Sequence, residues 1–142
     1  MGDYTHQAYP DILKLAREHK VNYIFAHYPA KDNTNYLSEV GYCVYNEYGE
    51  KFWPFNDYLF TVDKINIHHQ EYMDEILKNF DFDPAKINQC VNDQKTKDVI
   101  KKQIEELKKT NIYGTPTLFI NGRAFVGPKP YRVYLWELIK FW

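Results

Sequence analysis

Cys43 lies in Val40-Gly41-Tyr42-Cys43-Val44-Tyr45 and Cys90 in Ile87-Asn88-Gln89-Cys90-Val91, and these are the chain's two sulfur nucleophiles. Their spacing excludes a Cys-x-x-Cys centre, in which two thiols at one helix start trade a disulfide with a substrate. Joined, they would close a long loop, and in the loop-entropy account the link would stabilise the fold by about 4 kcal/mol, which an oxidising compartment favours. Left apart, they behave as two small buried hydrophobes. A reactive role for either thiol is the third reading, and the residues alone leave all three open.

The remaining polar chemistry is thin. His68 and His69 with Glu71 invite a metal site, but adjacent histidines leave a helix in different directions, and no second cluster has zinc-like spacing. They read as a solvated helix start, and the expectation is no metal and no cofactor. His27, before Tyr28-Pro29, reads as a packed or hydrogen-bonded residue. No Ser/His/Asp arrangement is supported.

The richest stretch is Gly114-Thr115-Pro116-Thr117, which runs into Leu118-Phe119-Ile120-Asn121-Gly122-Arg123. Proline cannot donate to a β ladder, so it suits a strand's first residue, and an X-Pro bond turns cis at a cost of only about 0.5–1 kcal/mol. Pro116 is a candidate cis-proline. Asn-Gly accepts the positive φ angles of a two-residue type I′ turn, so Thr117–Ile120 and Ala124–Val126 should form an antiparallel hairpin. Gly127-Pro128 stops the second strand. Tyr134, Leu135, Leu138 and Phe141 then recur at helical spacing, which predicts a closing amphipathic helix over Tyr131–Phe141.

Upstream, Ile12, Leu13, Leu15 and Ala16 define a first helix over Ala8–His19 with Pro10 near its start. Val21–Tyr28 is a short apolar run ended by Pro29 and reads as a strand. Helices and turns then alternate to about Thr110. Asp83-Pro84 is a cap followed by a proline at the first helical position. Lys97–Lys109 carries Ile100, Ile104 and Leu107 on one stripe, with Lys101–Glu105, Lys102–Glu106 and Glu105–Lys109 as exposed pairs. Phe52-Trp53-Pro54-Phe55 with Tyr58 and Phe60 reads as core, with a peptide-contact surface as the alternative.

A strand opening on cis-proline, a hairpin and a final helix make up the end of the thioredoxin fold, and Gly-Thr-Pro-Thr-Leu-Phe-Ile-Asn-Gly resembles the DsbA-like branch of that family. The resemblance extends over Tyr9-Pro10, Val21–Pro29 and Lys51–Phe60. It implies an α/β class: a single thioredoxin-like domain over residues 1–142 with a helical insertion at about 35–110. It also implies thiol–disulfide exchange with protein or peptide substrates, work in the bacterial periplasm or cell envelope, and a substrate strand held by Thr115 and Pro116. The family's proline spacing places its cysteine pair on Gly2 and Thr5, neither of which carries sulfur. A hydroxyl at Thr5 does not ionise near neutrality and has no redox couple, so His6 has no thiol there to activate. The first strand of the fold has no room ahead of Thr5 and is expected to be missing. Cys43 and Cys90 are placed like the second, structural disulfide that some DsbA-like proteins hold in their helical region. The expected behaviour is a redox-inactive relative of these oxidoreductases; a peptide-binding or chaperone-like module is the alternative, and a glutathione-binding relative a weaker third.

Composition is compatible with this. The chain has 142 residues, enough for one well-buried core, and 13 tyrosines with 9 phenylalanines raise the aromatic share to 18%, so large rings should fill it. A formal charge of −1 gives no electrostatic reason to bind nucleic acid or anionic lipid. Met1–His6 has neither the basic nor the apolar region of an export signal, and no apolar run reaches the ~18 residues of a membrane span. An incomplete sheet would expose an edge, which could pair two copies of the chain as a homodimer.

Overall fold

The computed structural model describes residues 9–18, 22–26, 28, 35–62, 66–110 and 112–140. They carry seven α-helices and one hairpin: α1 Tyr9–Glu18, α2 Asn35–Tyr48, α3 Phe52–Leu59, α4 Gln70–Asn79, α5 Pro84–Asn92, α6 Gln94–Lys108, β1 Thr117–Ile120, β2 Arg123–Val126 and α7 Tyr131–Ile139. The chain divides into two compact units, one of Met1–Ala26 with Asn111–Trp142, the other of His27–Thr110.

In the first unit β1 and β2 pair antiparallel, with Thr117 opposite Val126 and Ile120 opposite Arg123. The turn is built as its residues require: Asn121 has φ +50 and Gly122 φ +81, both left-handed, which is the type I′ geometry. β2 begins one residue before the expected Ala124. Alternation puts Ile120 and Phe125 on the covered face, where Phe125 meets Tyr134 of α7 edge-on at 5.9 Å. Ile12 and Leu15 of α1 and Tyr134 of α7 complete this core, and α7 packs on both α1 and β1. The opposite face of the hairpin stays open, with Phe119 and Val126 exposed.

The predicted strand at Val21–Tyr28 is corrected. Its described residues, 22–26 and 28, lie outside any ladder, and Ile24 is 86% exposed. An apolar run becomes a strand only where another strand meets its backbone, and the sheet among the described residues has two strands, β1 and β2. The described structure is therefore mostly helical with a small antiparallel sheet.

Among its described residues, the regular elements of the second unit are all helices. Its axis is α2, which packs against α3, α5 and α6 and buries Val40, Cys43 and Val44. The aromatic run divides as its spacing requires: Phe52 and Phe55 are buried, and Tyr58 stands at the rim. Phe55 meets Phe80 and Phe82 edge-on, and Phe82 stacks on Tyr48 at 4.3 Å. Asp83 caps α5, its carboxylate accepting from Ala85 N at 3.0 Å with Pro84 behind it. Asp93 caps α6 in the same way through Lys95 N. On α6 the expected Glu105–Lys109 pair is replaced by Glu106–Lys109 at 2.8 Å, because one turn of helix also brings i and i+3 together. That hydrogen bond raises the Lys109 ammonium and lowers the Glu106 carboxyl from their ordinary pKa values.

Candidate functional site

The loop ahead of β1 is fixed from both ends. The Thr117 hydroxyl donates back to Gly114 O, and Gly127 N, just past β2, donates to Pro116 O at 2.9 Å. A Cβ on Gly114 would stand only 3.4 Å from Val126 Cγ1, so the chain passes close beneath β2 there. The Thr115–Pro116 peptide is cis. Thr115 is exposed, and its backbone N–H and C=O have no hydrogen-bond partner among the described residues.

From Pro116 the chain runs directly into β1, which has β2 on one side and no other strand among the described residues. A cleft of about 320 Å³ lies along it. Ile12 and Leu15 of α1, Tyr134 of α7, Tyr23, and Leu118 and Ile120 of β1 are among its walls. Mixed apolar and polar walls beside a strand with one edge unpaired among the described residues suit an extended polypeptide, whose backbone bonds to the strand while its side chains enter the cleft. Asn121, at the end of the cleft, also belongs to a polar cluster that sequence periodicity did not indicate. Glu137 is 2% exposed, with Lys140 Nζ at 2.7 Å and Arg123 Nη1 at 3.4 Å, and its carbonyl accepts from Asn121 Nδ2.

In the helical unit Cys43 and Cys90 are joined by a disulfide, with their Cα atoms 5.9 Å apart. The link ties α2 to α5. Cys43 is 1% exposed and Cys90 is partly exposed. The Thr96 hydroxyl, itself buried, stands 3.5 Å from Cys90 Sγ and 3.9 Å from Cys43 Sγ. The stripe of Ile104 and Ile100, extended one turn back along α6, falls on Thr96.

The other candidates separate. Gly2, Thr5, His6 and His27 lie outside the described residues. His68, His69 and Glu71 are exposed at the start of α4, where His69 is the extended residue before the first turn. Among the described residues no group of three or more His, Cys, Asp or Glu side chains could hold a metal. Tyr36 sits near Asp74 and Glu39, and burial first, then those carboxylates, push its phenol up to about 12.

A hairpin led by Thr115-Pro116 and closed by a helix, joined to a helical unit, defines a thioredoxin-like domain. A model of the family described as thioredoxin matches residues 5–135, and the chain belongs to that family. No curated protein and no solved structure matches it.

Proposed function

We propose that the chain is a DsbA-like member of the thioredoxin family that holds extended segments of protein substrates at Thr115 and Pro116 and along the edge of β1 that no other described strand pairs. The observation that carries this reading is Thr115, an exposed residue just ahead of the strand whose backbone donor and acceptor are both unpaired among the described residues. The neighbouring Pro116 carbonyl is already taken by Gly127, so an incoming strand has Thr115 to bond to. In the relatives the sequence resembles, this contact serves thiol–disulfide exchange by a Cys-x-x-Cys pair. The 142 residues contain no such pair, so the reading rests on the holding step alone. The same resemblance favours the bacterial periplasm or cell envelope as the place of work.

Titration of a fluorescently labelled, carboxymethylated polypeptide, followed by anisotropy, tests this. Thr115→Arg should weaken binding by about tenfold or more by blocking the approach, whereas Thr115→Ala keeps the backbone and should bind like the parent. Failure to bind at millimolar peptide, or equal binding by the arginine variant, overturns the reading.

A further inference from the structure

We propose that the Cys43–Cys90 bridge is a thiol-exchange site in its own right, opened by dithiols through attack on Cys90. The two sulfurs are not equivalent. Cys43 is 1% exposed in the core beneath α2, whereas Cys90, in the last turn of α5, is partly open to solvent. Exchange requires a thiolate to reach one sulfur while the other departs, so access selects Cys90 as the sulfur attacked and Cys43 as the leaving group. Departure leaves charge on a buried sulfur, which is costly unless a donor is at hand. Thr96 supplies it. Its hydroxyl is 3.5 Å from Cys90 Sγ and 3.9 Å from Cys43 Sγ, and it lies in the first turn of α6, where the helix dipole also favours a negative sulfur. The hydroxyl lies beside both sulfurs, within reach of the departing Cys43 as well as of Cys90.

The steps balance. One thiolate of the dithiol attacks Cys90 Sγ, the bond between the cysteines breaks, and its electron pair leaves on Cys43 Sγ. The second thiolate then attacks the dithiol's own sulfur in the mixed disulfide, closing a cyclic disulfide and releasing Cys90 as thiolate. The two protons lost by the dithiol end on the two cysteines, and two electrons pass to the bridge. This site is independent of Thr115 and Pro116, and its test does not depend on peptide binding.

The folded protein is incubated with excess 2-mercaptoethanesulfonate, quenched with iodoacetamide and mapped by peptide mass. The mixed disulfide is expected on Cys90, with Cys43 carrying the alkyl group. Thr96→Val should slow its formation by about tenfold, the loss of a donor to a charged sulfur, and Thr96→Ser should restore it. Circular dichroism of each variant, and the reaction rate of the parent across a urea series, separate exchange in the fold from exchange after unfolding. Equal adducts on both cysteines, a rate that rises in step with global unfolding, or a Thr96→Val rate equal to the parent's each overturn the proposal.

Discussion

Glu137 shows how one side chain can decide a local structure. A buried carboxylate is costly unless paired, and this one has Lys140 at 2.7 Å and Arg123 at 3.4 Å. The Lys140 hydrogen bond outweighs burial, and with help from Arg123 the carboxyl is held below its ordinary value of 4.5. A carboxyl with a depressed native pKa stabilises the fold above the unfolded value, and that contribution fades as pH falls from about 4.5 through the native value. Glu137→Gln should therefore lower the Tm at pH 7 and flatten its fall between pH 5 and 3, as thermal melts across that range would show. Tyr134 tests a neutral contact at the same helix. Its phenol accepts from Lys129 N at 2.7 Å, and burial raises its pKa against the pull of that bond. Tyr134→Phe should cost about 1 kcal/mol in urea unfolding. The sequence pattern revealed Tyr134 but not Glu137. An acidic residue in a helix reads as solvent-facing, and Arg123, which helps neutralise it, lies on another element, where periodicity along α7 cannot register it.

The elements that were readable in advance are those whose cause is local. Asn121-Gly122 sets its own backbone angles, so the hairpin follows from two residues, and Asp83-Pro84 carries both the cap and the φ of a first helical turn. Gly122→Ala would meet nothing within 4 Å, so its cost is the left-handed φ of +81 alone, about 1 kcal/mol in chemical denaturation. Asp83→Ala leaves Ala85 N without its acceptor and should likewise cost about 1 kcal/mol, visible as a loss of α5 helicity on heating. The strand expected at Val21–Tyr28 depended instead on a distant partner. Its composition was right for a strand, but composition does not supply a neighbouring backbone, and Ile24 is left in solvent. The site divides along the same line: the Thr115-Pro116 loop was legible from its own residues, whereas the cleft beside β1 required α1 and α7 to be in place.

At the scale of the molecule, the stabilising work is unevenly divided. Among the described residues, the unit of His27–Thr110 has a large aromatic and aliphatic core and a covalent tie, while the unit of α1, the hairpin and α7 shows a few buried side chains and the Glu137 cluster. The tie spans 47 positions and closes a loop wholly inside the helical unit. In the loop-entropy account its reduction removes about 4 kcal/mol by giving the unfolded chain back its freedom. Most of that loss must fall where the loop lies. Amides of α2, α5 and α6 should therefore exchange hydrogen faster in reducing buffer, while those of the hairpin and α7 keep their protection. Hydrogen-exchange mass spectrometry with and without reductant reads both sets at once. A matching loss in the hairpin would mean that the two units unfold as one, and that the bridge stabilises β1 and β2 as well as the helices around it.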